Sequence, residues 1–370
     1  MGNTADGLTA ARRQRLSAAI ERTCAYLLSR QHAPGYWVGE LEADASVSAG
    51  YTPLMVLMQG AADPLRQQKA CRQLLRKQNP DGSWSAYAGG PGDLNVSIQC
   101  YFSLKLSGVG ADDHDCCLRR ARAFILGAGG IGQANLITKV WLALFGQFDW
   151  RDTPSVPPEL ILLPRWAYIN LYELASWSRA TIVALSVLLT LRPVWPVPAS
   201  ASVAELYVEP PERRRYAPGR APRLLSWQSA FLGLDRLLKL YERLPCKPGR
   251  RRALQRTSAW IVDHQEADGS WGGILLPWIY SLAALKCLGY PLSDPAIRCG
   301  LAGLEGFIVE DGFRICERAL PRPRRYVGGG PRSGAGGADR RGRGGQACGH
   351  RACPALGAQH AVPRWRLGRL

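Results

Sequence analysis

Acidic side chains that could donate a proton cluster at one place in this chain, Asp112-Asp113-His114-Asp115. A carboxyl group acts as an acid toward a weak base only where its surroundings keep it protonated. This cluster stands in a polar stretch between two apolar segments, so we expect a solvated loop here rather than a proton donor. Because residue 116 is a cysteine, the cluster also lacks the Asp-Asp-x-x-Asp spacing of a metal-binding carboxylate motif.

Thiol and imidazole groups are the remaining candidates for site chemistry, as metal ligands. Cys348, His350 and Cys353 have the composition of a ligand set, but they lie in an Arg- and Gly-rich segment. Cys116 and Cys117 are adjacent, and we do not expect neighbouring side chains to point at one ion. The sequence contains no phosphate-binding loop, dinucleotide fingerprint or Ser-His-Asp signature. We therefore expect no metal and no cofactor.

A structural motif, Gln-x3-Gly-x-Trp, occurs three times along the chain. The copies are Gln31, Gly35 and Trp37; Gln78, Gly82 and Trp84; and Gln265, Gly269 and Trp271. An amphipathic segment with helical periodicity precedes each copy. The first two copies are 47 residues apart, and residues 124–131 read as a degenerate copy one period further on. Such a period, with two helices per unit, predicts stacked helical hairpins.

The residue types of this motif favour a structural role over a catalytic one. Glycine supplies the positive φ that a tight turn needs. The glutamine amide can satisfy polar groups left open at a helix end, and the tryptophan ring can shield those bonds from water. We therefore expect the motif to fasten outer helices to one another.

The net charge of +18 on 370 residues is distributed unevenly. Residues 316–370 contain 12 Arg, no Lys and many Gly, Ala and Pro residues. This composition is typical of a GC-rich gene read out of frame, or of an arginine-glycine tail that binds nucleic acid. We favour the first interpretation, expect no nucleic-acid partner, and predict disorder in either case.

The residues around the motif copies resemble the squalene–hopene cyclases, a family of triterpene cyclases whose repeats are called QW repeats. The resemblance covers about residues 18–315 and follows the order of the family. The similar blocks are 35–44, 87–94, 156–159, 170–173, 176–181 and 268–274.

This resemblance implies an all-α fold built from α/α barrels, or toroids. Residues 1–35 would be an N-terminal helical segment, and residues 36–315 the barrel inserted near the start of the family's second barrel. Residues 316–370 would be a disordered low-complexity tail, and the second, catalytic barrel would be missing, because the likeness stops where the tail begins.

The resemblance also implies an isomerase-type reaction, the cyclisation of squalene or a related polyprene started by protonation of an alkene. The family donates that proton from an Asp-x-Asp-Asp motif, which occurs nowhere in these 370 residues. We therefore predict that the chain alone is inactive, and we assign no catalytic residue. By resemblance, Trp177, Ile274, Leu174 and Ile182 would contact the substrate.

Several positions depart from the family pattern. Gly-Gly-Ile274 is followed by Leu275 where the family has a glutamine that can orient water. Family carboxylates are replaced by Ser48, Gly50 and Gln99. These departures put a hopene-type capture of water in doubt and indicate either a divergent paralogue or relaxed constraint.

An apolar helical face between Leu224 and Leu244, preceded by Arg213–Arg215, is typical of a helix at a lipid surface. A helix packed on the barrel is the alternative. The N-terminus contains no signal-peptide pattern, and the longest near-apolar run, Ala180–Leu191, is too short to span a bilayer. We predict peripheral or monotopic contact with the cytoplasmic face of a bacterial inner membrane, with a homodimer left open.

Two other functions remain open. One is a non-catalytic α/α barrel that binds isoprenoid lipid or a partner barrel. The other is a barrel like the protein prenyltransferases, which needs zinc ligands that residues before 316 do not offer in a suitable context. A downstream reading frame that encodes Ser-Pro-Val-Trp-Asp-Thr and then Asp-x-Asp-Asp would favour the cyclase.

Overall fold

A computed structural model describes residues 10–31, 33, 35, 37, 40–109, 115–167, 170–209, 227–309 and 314–318. The chain is mostly helical within these residues. The α-helices are α1 (Ala10–Ser29), α2 (Ala45–Ala49), α3 (Tyr51–Gln59), α4 (Pro64–Arg76), α5 (Leu94–Leu106), α6 (Asp115–Gly127), α7 (Leu136–Leu144), α8 (Ser176–Leu191), α9 (Trp227–Arg243), α10 (Arg250–Asp263), α11 (Leu275–Cys287) and α12 (Pro295–Glu305).

Short strands accompany the helices. They are β1 (Glu40–Glu42), β2 (Trp84–Ser85), β3 (Gly92–Asp93), β4 (Ile308–Val309) and β5 (Arg314–Arg318). Strands β2 and β3 pair antiparallel with Trp84 opposite Asp93, and β4 pairs with β5 with Ile308 opposite Ile315. Strand β5 extends three residues past the predicted start of the tail, to Arg318. Residues 319–370 lie outside the described part of the chain.

Two compact units make up the described residues. One contains α1 and the first copy of the motif, and the other contains the described residues from Leu41 to Glu317. The predicted domain boundaries after residues 35 and 315 stay predictions.

The larger unit has an inner layer of helices that are buried on nearly all sides. Each of these inner helices contains fully buried side chains. Examples are Leu57 in α3, Ile98 in α5, Leu142 in α7, Leu188 in α8 and Leu282 in α11. These helices are apolar around most of their circumference, as expected for helices surrounded by protein. The outer helices α4, α6, α10 and α12 bury one side only, as α4 does with Ala70, Cys71 and Leu74.

The inner helices form a ring. Helix α11 packs against α8 on one side and against α3 on the other, α3 packs against α5, and α5 packs against α7. Trp195, which follows α8, donates its backbone N–H to the carbonyl of Leu144 at the end of α7 (2.7 Å). The segment after α8 therefore contacts the end of α7 and connects the two ends of this series of inner helices.

Bonds between distant parts of the sequence close both layers of the ring. In the inner layer, the Lys286 ammonium on α11 donates to the carbonyls of Leu57 (2.5 Å) and Met58 (2.8 Å) at the end of α3. In the outer layer, Arg66 on α4 forms a 2.6 Å salt bridge with Glu305 on α12. The two layers build an α/α barrel, which confirms the predicted all-α fold.

None of the helices that the structure describes combines the length and the apolar character needed to cross a bilayer.

Candidate functional site

Four helices of the larger unit begin around one cavity. The first turns of α2, α5, α7 and α11 line a cavity of about 300 Å³. A cavity of this size is within the lower range of small-molecule sites in proteins.

Polar residues that cap the helices form one part of the cavity wall. The Asp44 carboxylate accepts from the backbone N–H of Ser46 (2.7 Å), and the Asp93 carboxylate accepts from that of Asn95 (2.8 Å). The Asn135 side chain accepts from the N–H of Thr138 (2.9 Å) at the start of α7. Each cap satisfies an N–H group that the helix itself leaves open, and the two carboxylates offset the positive ends of their helix dipoles.

Amide side chains link α5 to α7 beside these caps. The Asn95 side-chain oxygen accepts from the backbone N–H of Asn135 (2.7 Å). The Gln99 amide donates to the hydroxyl of Thr138 (3.0 Å). These two bonds fix the separation of two helices that form the wall.

Aromatic and aliphatic side chains form the rest of the wall. Trp141 lies edge-on to Phe145, with 5.5 Å between the ring centroids, and Tyr280 donates its hydroxyl to the carbonyl of Ile137 (3.2 Å). Burial raises the pKa of Tyr280, so this phenol stays neutral. Leu275 and Ile279 add aliphatic surface. Such a wall can hold a hydrocarbon, and aromatic faces can stabilise a positive charge that develops next to them.

Three of the family departures noted in the sequence meet in this cavity. Gly50, Gln99 and Leu275 all line it. A Cβ atom at residue 50 would lie 3.5 Å from the Leu275 side chain and 3.5 Å from that of Ile279. Ser48, the fourth departure, is buried in α2 and does not line the cavity. The polar groups left in this part of the wall are therefore the helix caps, Ser46, Asn95 and Gln99.

The residues predicted to bind substrate lie outside the lining of this cavity. Ile274 precedes α11 in an extended conformation and is adjacent to the lining residue Leu275. Trp177 is in the first turn of α8 and is 52% exposed. Leu174 and Ile182 are half-buried against the core. The structure does not bring these four side chains together in the cavity.

Sequence reasoning missed most of the cavity lining, Trp141 and Tyr280 included. The helix caps had a readable signal, because Asp44, Asp93 and Asn135 each stand directly before an apolar helical run. The two aromatic residues had none, because they occur within apolar helices in which any face could point inward.

The tryptophan of each motif copy binds the end of the helix that precedes it. The indole N–H donates to a carbonyl ten residues earlier in all three copies, Leu27 (2.5 Å), Leu74 (2.8 Å) and Ile261 (2.7 Å). Each of these carbonyls lies in the last turn of its helix, where helix carbonyls lack intrahelical partners.

The glutamine of the second and third copies binds the next outer helix. The Gln78 amide donates to the carbonyls of Gly82 (2.9 Å) and Cys117 (3.0 Å), the latter in the first turn of α6. The Gln265 amide donates in the same way to Gly269 (3.0 Å) and to Ala296 (2.8 Å) in α12. In the first copy, the Gln31 amide donates to the carbonyl of Gly35 (2.9 Å).

The glycine of the motif allows the turn to touch the next helix. Gly82 has a φ of +87°, and a Cβ atom there would lie 2.4 Å from the backbone of Arg120 in α6. The degenerate copy at residues 124–131 also contains a glycine in close contact with another part of the backbone. A Cβ atom on Gly130 would lie 2.4 Å from the carbonyl of Leu206, in a short helical turn at residues 204–206.

Comparison with known proteins agrees with this arrangement of helices and motifs. Residues 20–312 match the profile of the squalene–hopene cyclase N-terminal domain. The chain belongs to the squalene–hopene cyclase family.

Several relatives in the family have assigned names. The chain is 41% identical over 292 residues to the squalene–hopene cyclase of Alicyclobacillus acidocaldarius, covering 79% of this chain and 45% of the relative. It is 35% identical over 296 residues to the dammaradiene synthase of Dryopteris crassirhizoma (80% and 42%). It is 33% identical over 298 residues to the squalene–hopene cyclase of Zymomonas mobilis (79% and 44%). The chain therefore spans less than half the length of these cyclases.

Proposed function

We propose that this chain is the N-terminal part of a triterpene cyclase and forms one wall of the space in which a polyprene such as squalene is cyclised through carbocations. The observation that carries the proposal is the cavity at the starts of α2, α5, α7 and α11. Its wall combines aliphatic side chains with the rings of Trp141 and Tyr280, which suits a hydrocarbon and the positive charge it acquires.

These 370 residues do not supply the acid for this reaction. An alkene is a very weak base, so its protonation needs a carboxylic acid held in the protonated form. By resemblance the family uses Asp-x-Asp-Asp, which the sequence lacks. The carboxylates of Asp44 and Asp93 already serve as helix caps, because each accepts a hydrogen bond from a backbone N–H group.

The test is incubation of the purified chain with squalene, followed by analysis of the products by gas chromatography and mass spectrometry. The full-length Alicyclobacillus cyclase under the same conditions is the positive control. We expect no cyclic product from this chain alone, and a ring-containing product from it would overturn the proposed lack of activity.

Binding of the hydrocarbon can be tested without turnover. Squalene delivered from vesicles is expected to quench the tryptophan fluorescence of the protein, and Trp141→Leu should remove part of that change. Leu275→Gln adds a polar group to the cavity wall, so it should shift the preference from squalene toward a terminal polyprene alcohol. An unchanged preference in this variant would contradict the assignment of the cavity as the binding site.

We extend the proposal to the four residues identified by resemblance. Leu174, Trp177, Ile182 and Ile274 would contact the hydrocarbon at a position outside the described cavity. Trp177→Ala should then weaken squalene binding, whereas Trp166→Ala, which removes a tryptophan that is 87% exposed, serves as the matched control. Equal effects of the two substitutions would argue against a specific contact at Trp177.

Helix α9 supports contact with a membrane surface, because its apolar side is turned outward. Its exposed apolar residues are Phe231, Leu234, Leu237 and Leu240, with Leu244 just beyond its end. Its acidic residues face the protein, where Asp235 accepts from the N–H of Ser155 (2.8 Å) and Glu242 pairs with Arg250 (2.6 Å). We propose that this face rests on the cytoplasmic side of the membrane, where a water-insoluble polyprene would be available.

Cosedimentation with lipid vesicles tests this orientation. Leu237→Glu should lower the partition coefficient by about one to two orders of magnitude, because burying a leucine contributes roughly 1.5–3 kcal/mol. The control is Leu65→Glu, another exposed leucine that lies outside α9. Absence of vesicle binding by the unchanged protein at low salt would reject the membrane assignment.

A further inference from the structure

The two adjacent cysteines at the start of α6 lie closer together than the sequence led us to expect. Cys116 and Cys117 are the second and third residues of this 13-residue helix. Their Sγ atoms are 3.9 Å apart, and Cys116 is exposed while Cys117 is half-buried. The two sulfur atoms are therefore within contact distance of each other.

Contacts with the second motif copy hold this pair in place. The carbonyl of Cys117 accepts from the Gln78 amide (3.0 Å). The Arg120 guanidinium lies 4.0 Å from the Cys117 sulfur and also donates to the carbonyl of Pro80 (3.1 Å). The thiols are thus attached to a packed junction between α4 and α6.

The separation of the sulfur atoms matches that of two thiolates on one thiophilic centre. Two sulfurs at 2.3 Å from a tetrahedral ion are about 3.8 Å apart. A metal ion would need further protein ligands, and no group of three or more His, Cys, Asp or Glu residues able to hold one occurs among the described residues. A ligand that fits this pair is therefore one whose central atom needs two thiols and no other protein group.

We propose that Cys116 and Cys117 form a dithiol site for a monosubstituted trivalent arsenical. Such a compound, R–As(OH)2 in water, has two exchangeable positions and so needs two thiols and no other ligand. Two As–S bonds form and two As–O bonds break. Each thiol proton leaves with one hydroxide as water, and no atom is oxidised or reduced. A second thiol held nearby makes ring closure intramolecular, which strengthens binding relative to a single thiol.

The test uses the full chain, reduced with a phosphine, and phenylarsine oxide as the probe. Intact-mass analysis is performed in the presence of a large excess of 2-mercaptoethanol, which competes with adducts on single thiols. We expect one arsenical to be retained on the proteolytic peptide that contains Cys116 and Cys117, and to be released by a dithiol such as 2,3-dimercaptopropanol. Cys24→Ser and Cys246→Ser are the matched controls, because both replace exposed single thiols.

Cys116→Ser is the decisive variant, since it changes an exposed side chain and keeps the hydrogen bond from the Gln78 amide to the Cys117 carbonyl. It should reduce retention at least about tenfold, as should Cys117→Ser. The arsenical should also raise the melting temperature of the unchanged protein, because it binds the folded form, and should not raise that of Cys116→Ser. Retention by Cys116→Ser at the level of the unchanged protein, or loss of retention in a control variant, would overturn the proposal.

Discussion

The three motif tryptophans make the same hydrogen bond but lie in different surroundings. Trp84 and Trp271 are 0% and 1% exposed, whereas Trp37 is 46% exposed. The bond to a carbonyl ten residues earlier is local and follows from the motif itself. Burial depends on helices far away in the sequence. The contribution of each copy to stability should therefore differ, although the residues are the same.

Replacing tryptophan by phenylalanine measures this difference. Trp271→Phe removes the bond to Ile261 and leaves a gap in the core, so we expect a loss of about 2–4 kcal/mol in the free energy of unfolding. Trp37→Phe removes the equivalent bond at an exposed position and should cost less than about 1 kcal/mol. Denaturant unfolding of both variants checks this, and equal losses would contradict it.

The need for glycine at the motif turn can be tested by comparison with Gly60, which has the same backbone conformation but no close neighbour. Gly82 and Gly60 have nearly the same φ (+87° and +86°), but a Cβ atom on Gly60 would have nothing within 4 Å. Gly60→Ala should therefore cost only the backbone strain, about 1–2 kcal/mol. Gly82→Ala should cost at least ~2 kcal/mol more, because its methyl group would overlap the backbone of Arg120. Similar unfolding free energies for the two variants would exclude this close approach as the reason for glycine.

At the scale of elements, α9 does not follow the usual rule for a surface helix. Its acidic side faces the protein because Arg250 binds both Glu159 (2.7 Å) and Glu242 (2.6 Å), and the Tyr241 hydroxyl also reaches Glu159 (3.0 Å). The basic residues Arg236 and Arg243 of the same helix are exposed. Periodicity alone located the apolar face of α9 but could not determine which way it points. The carboxylate partners decide the direction.

Arg250→Met should release α9 from the rest of the protein. The substitution leaves Glu159 and Glu242 partly buried without their shared cation, which typically costs about 3–5 kcal/mol. Hydrogen exchange measured by mass spectrometry should show faster exchange of the α9 amides. The control is Arg251→Met at the neighbouring exposed position, and unchanged α9 exchange in Arg250→Met would mean that other contacts hold the helix.

A second ionic contact joins α5 to the short helical turn at residues 204–206. Burial by itself would raise the pKa of Glu205, but hydrogen bonds from Lys105 (2.5 Å) and Tyr101 (2.9 Å) outweigh it and hold this pKa below its usual value. A carboxyl whose pKa is lower in the folded state stabilises the protein above its unfolded pKa, about 4.3 for glutamate. That stabilisation is lost as the pH falls through the folded pKa.

Glu205→Gln should therefore reduce stability at pH 7 and flatten the decline of stability at acid pH. Thermal unfolding between pH 7 and pH 3 measures both effects. Glu173→Gln, which changes an exposed glutamate, should leave the pH profile unaltered. A mutant profile as steep as that of the unchanged protein would show that Glu205 does not supply the acid sensitivity.

At the scale of the whole larger unit, the barrel depends on contacts between α3 and α11, the first and last of its inner helices. Lys286 on α11 and the end of α3 are more than 200 residues apart. Burial lowers the pKa of Lys286, because the charged ammonium group is partly removed from water. Two carbonyls at a helix C-terminus offset this loss of hydration through hydrogen bonds and the helix dipole.

Lys286→Met should weaken this closure of the ring. We expect a loss of about 1–3 kcal/mol, because the carbonyls of Leu57 and Met58 lose a charged donor. Lys247→Met, which removes a bond to Leu244 three residues earlier, should have little effect. Urea unfolding compares the two variants, and a loss in Lys247→Met as large as that in Lys286→Met would contradict a special role in closure.

The amino-acid sequence by itself determined the helical fold class, the three motif copies and the family. Each of these depends on residues within about ten positions of one another or on an ordered set of similar blocks. Only the tertiary structure decided which motif copies are buried, that α9 turns its apolar side outward, and that Gly50, Gln99 and Leu275 share one cavity. These features depend on contacts between helices far apart in the chain, such as Gln99 with Thr138 and Lys286 with Leu57. Local periodicity describes the faces of a helix but carries no information about which distant segment covers each face.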